Sequence, residues 1–210
     1  MKIINFVAGA SLLSLSLPCF CQSEVRCGQT LVAPMRRGAE LTVASLSTDV
    51  EIVGTDQEAI HVSCRADDMD TAADIRLKLS GTATRAKLSI TGDHPKHNNL
   101  HIRVEVPRKL GLAFHMSAGA VKVDEIVGNK DIGLTAGAIT VSSDHHWDYK
   151  DVDASVGIGA VNAQVYGANN GGFFRTFRKQ NVSGEYRLHA HVTTGQIDLL
   201  GKNANSGAEE

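Results

Sequence analysis

Closely spaced histidines are the residues of this chain best suited to metal chemistry. They occur as an adjacent pair, an alternating pair and a looser group: His145 and His146, His189 and His191, and His94, His97 and His101. Imidazoles on alternate residues of a strand can chelate Zn, Cu or Ni. However, His115 and His191 each precede a glycine by four residues, a position that Gly133 fills in another repeat. We interpret this position as facing solvent and predict no metal site.

The sequence contains no recognisable catalytic motif. The G-x-S-x-G, H-E-x-x-H and Walker patterns are all missing, and Gly157-Ile-Gly159 is only the first part of a dinucleotide fingerprint. No carboxylate pair recurs at a spacing suited to glycoside cleavage. Asp67, Asp68 and Asp70 lack the ligand spacing of a calcium loop. We therefore predict that the protein is not an enzyme and has no cofactor.

A short segment near residue 175 combines aromatic and basic residues. Its members are Phe173, Phe174, Arg175, Phe177, Arg178 and Lys179. One interpretation places the phenylalanines against the apolar interior and the cations in water. The other is a surface patch that binds a partner, because aromatic and Arg residues are the usual anchors of binding surfaces. The sequence leaves both interpretations open.

The sequence contains a repeated unit of two short strands around a glycine. The histidines of the alternating pair lie within this repeat, and the aromatic and basic segment interrupts it. The repeat glycines are Gly119, Gly137, Gly159 and Gly195, at intervals of 18, 22 and 36 residues. The segments 117–123 (SAGAVKV) and 135–141 (TAGAITV) show the unit best. Apolar residues alternate before and after each glycine, which predicts two strands that meet at a glycine corner.

A repeat of about 20 residues predicts a β-solenoid, because one unit cannot bury its own apolar face and stacked units can. We therefore predict an all-β fold, a β-helix-like stack of short parallel strands with glycine corners and irregular N-terminal coils. Val121, Ile139 and Ile197 should share one buried column. A β-sandwich with similar hairpins is the alternative.

The N-terminal half carries a weaker form of the same pattern. Strands are predicted at 41–43, 50–53, 60–64 and 100–106, and a hairpin of 75–79 and 86–90 is predicted around Gly81. The segment Ser47-Thr-Asp49 resembles the later corners, with Asp49 at the glycine position. Asp is among the residues that best tolerate that conformation.

Residues 1–23 have the features of a secretory signal peptide. Lys2 precedes an apolar run from Ile3 to Leu17, which is shorter than the roughly 20 residues of a membrane-spanning helix. Cleavage after Cys21 or after Ser23 fits the pattern, and a lipoprotein anchor at Cys19 or Cys21 is an alternative. We expect one domain over 24–201 and a disordered tail over 202–210.

Two cysteines, Cys27 and Cys64, remain after the predicted cleavage. An even pair in an oxidising compartment is most simply a disulfide, and no C-x-x-C spacing supports a metal or redox site. The full chain has 21 basic and 23 acidic side chains. This balance gives no electrostatic reason to expect a nucleic-acid partner or an anionic membrane. No membrane span is expected after the signal peptide.

The motifs occur in a characteristic order. A strand ends in Val-Glu-Val-Pro-Arg108, the two repeat units flank Gly128-Asn-Lys-Asp-Ile132, and Tyr186-Arg-Leu-His-Ala-His191 follows. Over roughly 39–200, this order resembles the bacterial putative adhesin family (domain of unknown function 4097) of exported β-strand-repeat proteins. The resemblance implies a β-solenoid outside the cytoplasm and an adhesive role, and it supplies no catalytic residues. The chain departs from the regular pattern between Tyr166 and Glu185.

We therefore expect an exported, non-enzymatic putative adhesin or surface interaction module in the periplasm, at the cell surface or in the medium. Its partner would be a surface polymer or a protein. A structural or envelope-stress accessory protein of the periplasm is one alternative. A metal- or glycan-binding protein is the other.

Overall fold

The computed structural model describes residues 19–66, 69–92 and 100–201. Several sequence predictions lie outside these ranges: most of the signal peptide, Asp67 and Asp68, His94 and His97, and the tail over 202–210. Among the described residues, no helix has the length and apolar character needed to cross a membrane.

The described chain is mostly strand, which confirms the all-β class. The strands are β1 (Cys19–Arg26), β2 (Leu31–Pro34), β3 (Ala39–Thr55), β4 (Ala59–Ala66), β5 (Arg76–Thr82), β6 (Arg85–Thr91), β7 (Leu100–Pro107), β8 (Leu110–Asp124), β9 (Lys130–Ser142), β10 (Tyr149–Ala163), β11 (Ala168–Gln180) and β12 (Tyr186–Leu200). A short helix, α1 (Met69–Asp74), follows β4, and single 3-10 turns lie at His146–Asp148 and Gln164–Tyr166.

All twelve strands belong to one mixed sheet. Its main path runs β1-β5-β6-β3-β8-β9-β12-β10-β11, and β7, β4 and β2 branch from β3. The five strands β3, β8, β9, β12 and β10 are parallel neighbours. β6 pairs with the first half of β3 and β7 with the second half, and the buried residues of both branches form one core.

The long strands change direction at a common level, a row of register partners that we call the glycine level. Gly119 is the register partner of Gly137, Gly137 of Gly195, and Gly195 of Gly159. In β3 the corresponding residue is Thr48, so the placement of Asp49 at the glycine position is wrong by one residue. Thr48 is buried, and its hydroxyl donates a hydrogen bond to the carbonyl of Leu100 at 2.8 Å. The buried hydroxyl, which a glycine would not have, is therefore satisfied.

The predicted apolar column is present two residues beyond the glycines. Five side chains are consecutive register partners and are all buried: Val50, Val121, Ile139, Ile197 and Val161. Burial of each such side chain stabilises the fold by about 1.5 to 3 kcal/mol. The repeated pattern therefore builds the core of the parallel region.

The spatial order of the strands differs from the chain order. Repeats stacked one after another would place β10 beside β9, but β12 lies between them. β11 folds back antiparallel to β10 and forms the end of the main path. The structure thus shows a large mixed sheet with a shared glycine level, and the predicted solenoid is not established by it.

Cys27 and Cys64 form the predicted disulfide, with their Cα atoms 4.9 Å apart. The bond joins the segment after β1 to β4, and Gly28 donates a backbone hydrogen bond to the carbonyl of Cys64 at 3.1 Å. The hairpin of β5 and β6 is also formed, but its turn lies at Ala83 and Thr84. Gly81, where the turn was predicted, is within β5 and pairs with Ala86.

Removal of this disulfide should lower the free energy of unfolding by about 2 to 4 kcal/mol, because the 37-residue separation restricts the unfolded chain substantially. The measurement is denaturant unfolding of the Cys27→Ser, Cys64→Ser double variant. The reduced wild-type protein is the control and should match the variant. Equal midpoints for the oxidised wild type and the variant would contradict the prediction.

Candidate interaction surface

β11 forms an outer edge of the sheet. Among the described residues it pairs only with β10, from Ala163 opposite Ala168 to Asp151 opposite Gln180. The strand lies in the region that departs from the repeat pattern, and it contains three basic and no acidic residues. An exposed edge strand offers backbone and side-chain groups to a partner.

Two of the three phenylalanines in β11 point into solvent. Phe173 is 68% exposed and Phe174 is 86% exposed, so the interpretation that places them against the interior is wrong. Phe173 lies opposite Ile158, which with Thr194 occupies an exposed row at the corner of the sheet. Side chains in this row point outward, and the side chain of Phe173 points the same way. Phe177 is half-buried and packs against the core, as that interpretation expects.

The backbone at Phe174 has an uncommon conformation. Its φ is 51°, in the left-handed region that bulky side chains rarely adopt and that costs about 1 to 3 kcal/mol. The guanidinium of Arg175 folds back, and its Nε donates to the carbonyl of Gly171 at 2.8 Å. This turn presents the ring of Phe174 on the surface. Strained residues of this kind are concentrated at functional sites.

The three cations of β11 differ in their partners. Arg178 forms an ion pair with Asp153, with 2.9 Å between Nε and Oδ2. Lys179 instead lies over the ring of Tyr166, with its Nζ 4.8 Å from the centroid. Neither Arg175 nor Lys179 has a carboxylate partner within the described ranges. Two positive charges are therefore available to an anionic group.

The histidines of β12 have hydrogen-bond partners on neighbouring strands. His189 Nδ1 lies 2.9 Å from Asp131 Oδ1, and His191 Nδ1 lies 3.0 Å from Ser155 Oγ. His115 is in the same register row as His191, but a strand separates the two residues. The part of the chain that the structure describes has no cluster of three or more His, Cys, Asp or Glu side chains able to hold a metal ion.

A groove of 540 Å³ is lined by charged residues of β3, β4, β7 and β8. Its charges largely neutralise one another. Arg103 pairs with Glu51 and Glu105, and Lys122 lies 2.9 Å from Asp124 and 3.5 Å from Glu51. The hydrogen bond to Glu105 raises the pKa of Arg103, and the bond to Asp124 raises the pKa of Lys122. These groups already stabilise one another, which makes the groove a weak candidate for a charged ligand.

Lys130 is a buried lysine that the sequence analysis missed. It lies at the start of β9 and is only 3% exposed. Its Nζ donates to the carbonyl of Ile126 at 2.7 Å and to the hydroxyl of Tyr149. Burial lowers the pKa of Lys130 to about 7. The alternation of β9 could have indicated this burial. Lys130 is two residues before the buried Ile132, so both side chains lie on the same face of the strand.

An aromatic cluster beside β11 was also missed. The ring of His146 makes edge contacts with Trp147 at 4.7 Å and with Tyr166 at 5.7 Å between centroids. Tyr166 in turn stacks on Phe177 at 5.4 Å. Trp147 is 56% exposed. The chain has a single tryptophan, directly after two histidines, and that combination could have indicated the cluster.

Comparison with known proteins gives little further information. No family model matches the chain, so membership in the family suggested by the motifs stays a prediction. No curated protein matches it either. One solved structure that it resembles is a putative cell adhesion protein from Clostridium sporogenes, with 15% sequence identity and a TM-score of 0.48. The match covers 83% of this chain and 99% of the other, and at this TM-score it carries no argument about function.

Proposed function

We propose that the protein is an exported, non-enzymatic interaction module of the adhesin type, which binds a surface polymer or a protein through the central residues of the edge strand β11. The observation that carries this proposal is the joint exposure of Phe173 and Phe174 beside Arg175. Clustered exposed aromatic side chains mark interaction sites, and burial of such anchors supplies much of the binding energy at an interface.

The charge of β11 favours an anionic partner. Arg175 and Lys179 are not neutralised by carboxylates of the described chain, and an anionic group on a partner would pair with them. The disulfide between Cys27 and Cys64 supports export, since such bonds persist in oxidising compartments. The periplasm, the cell surface and the medium all fit this proposal.

The parallel region supports a role as a scaffold. β8 and β9 are in register on both sides of their glycines, as consecutive coils of a solenoid are. We infer that β3, β8, β9, β12 and β10 form a short solenoid-like stack. A stack with a continuous buried column is a rigid support on which the edge strand β11 is displayed.

Replacement of both exposed aromatics should weaken binding while leaving the fold intact. We expect the Phe173→Ala, Phe174→Ala variant to lose at least about tenfold in retention on cells or extracellular matrix, the effect of removing interface anchors. The measurement is retention of tagged protein on the producing cells, together with thermal unfolding. Val182→Ala is the control, because Val182 is an exposed apolar residue outside the patch.

Two results would contradict the proposal. Equal retention of the wild type and the double variant would exclude the patch as the binding site. A wild-type protein that is not retained, with only an envelope-integrity defect after gene deletion, would favour an accessory role in the envelope. Fractionation of the same tagged protein tests export, and recovery of the uncleaved chain from the cytoplasm would contradict that part.

A further inference from the structure

An aromatic pocket lies beside the C-terminal end of β11, whereas Phe174 lies at the middle of that strand. Its volume is 310 Å³, at the lower end of the range for small-molecule sites. The wall includes His146, Trp147, Tyr166, Lys179, Gln180 and Asn181. The size suits one small ring better than an extended ligand.

The tryptophan of this pocket is held in place by its surroundings. Asn181 Nδ2 donates to the carbonyl of Trp147 at 2.7 Å, and the hydroxyl of Tyr166 donates to the carbonyl of His146 at 2.9 Å. The ring of His146 packs edge-on against the indole. The Trp147 residue is nevertheless more than half exposed. The pocket therefore contains a preorganised aromatic surface that is open to solvent.

The polar groups of the pocket define the chemistry of its ligand. Lys179 is the only residue of its lining with a permanent charge, and its ammonium is positioned over the ring of Tyr166. Gln180 adds an exposed side-chain amide. Within the described ranges, the indole N–H of Trp147 has no protein acceptor. A purely apolar ligand would remove these polar groups from water without replacing their hydrogen bonds.

A sugar ring that carries a carboxylate matches all of these groups. The C–H face of a pyranose is apolar and can stack on an indole, while its hydroxyls hydrogen-bond to an amide and an N–H. A carboxylate on the ring would pair with the ammonium, and a charge-assisted bond is roughly twice as strong as a neutral one.

We propose that this pocket binds one ring of an acidic saccharide, with Trp147 stacking on the ring and Lys179 pairing with its carboxylate. The site uses different residues from the exposed pair Phe173 and Phe174. It shares Lys179 with the charges invoked above, but the Phe173→Ala, Phe174→Ala variant leaves every residue of the pocket unchanged. The two proposals are therefore tested by different variants.

The test uses the tryptophan itself as the probe, since the chain has only one. A tetramer of galacturonic acid and a neutral galactose tetramer are titrated into the full mature protein, with indole emission and calorimetry as readouts. We expect a saturable change in emission with the acidic tetramer and about tenfold weaker binding of the neutral one. No saturable binding of either tetramer, or equal binding of both, would overturn the proposal.

Variants then assign the contacts. Trp147→Ala should abolish calorimetric binding, and Lys179→Gln should bring the acidic tetramer to the affinity of the neutral one. Val32→Ala is the matched control, because Val32 is 56% exposed, as Trp147 is, and lies on β2. The Phe173→Ala, Phe174→Ala variant should bind the acidic tetramer normally. Unchanged binding by Trp147→Ala, with thermal unfolding as in the wild type, would contradict the assignment.

Discussion

Replacement of Gly137 by alanine is expected to destabilise the fold by about 3 to 5 kcal/mol or to prevent folding. A Cβ at this position would lie 1.8 Å from the carbonyl oxygen of Gly119, and the φ of Gly137 is 130°. The atom that it meets belongs to the backbone of β8, which is paired on both sides. That backbone cannot move away without disrupting the parallel ladder.

A second glycine of the same strand provides the control. A Cβ on Gly133 would approach only the exposed ring of His115, at 3.1 Å, and that ring can rotate. Gly133→Ala should therefore change the free energy of unfolding by less than about 1 kcal/mol. Denaturant unfolding followed by circular dichroism compares the two variants. Similar midpoints for Gly137→Ala and Gly133→Ala would show that the glycine level is not required.

The pH dependence of stability is expected to report the buried Lys130. Burial lowers its pKa in the folded protein to about 7 from the ordinary value of 10.5. Between these values the unfolded chain binds a proton that the folded protein does not, so stability rises with pH in this window. Stability is correspondingly lost as pH falls toward 7. At roughly 1.4 kcal/mol per tenfold difference in proton affinity, the rise from pH 7 to pH 10 is about 3 to 4 kcal/mol.

The pH range for this measurement ends near pH 10, because above that pH the ionisation of Tyr149 changes the stability in the opposite direction. Burial raises the pKa of Tyr149 above its ordinary value of 10.0, so its contribution to stability is lost as pH rises further. Lys130→Met should abolish most of the slope between pH 7 and pH 10.

The slope is a better measure than the absolute stability of this variant. Lys130→Met also removes the shorter of two hydrogen bonds to the carbonyl of Ile126, the other coming from the hydroxyl of Tyr149 at 3.4 Å. This loss offsets part of the gain from removing a buried amine. Lys150→Met, at an exposed position of β10, is the control and should keep the wild-type slope. A slope in Lys130→Met equal to that of the wild type would contradict the assignment to Lys130.

The glycine level and the apolar column could be predicted because both depend on local rules. Alternation with period two decides which residues of a strand share a face, and this placed Val121, Ile139 and Ile197 together. Positive φ at Gly119 and Gly137 follows from the absence of a side chain. The assignment of Asp49 failed by one residue, because a buried threonine with a hydrogen bond to Leu100 could replace the glycine.

The order of the strands could not be predicted in the same way. β9, β10 and β12 present equivalent apolar and glycine patterns, so each is a suitable neighbour for either of the others. The interval of 36 residues before Gly195 is twice the first interval of 18, as in repeats that follow one another along the chain. Instead, the intervening residues form the antiparallel strand β11, and β12 inserts beside β9.

The sequence by itself determined an all-β chain with glycine corners, a common apolar column and a disulfide, because periodicity, backbone freedom and cysteine pairing are properties of residue type. Only the tertiary structure decided that Phe174 is exposed, that Lys130 is buried and that Trp147 lines a pocket. The exposure of a side chain depends on which strands pack over it. In this protein, the packing of strands is determined by pairing between segments that are far apart in the chain.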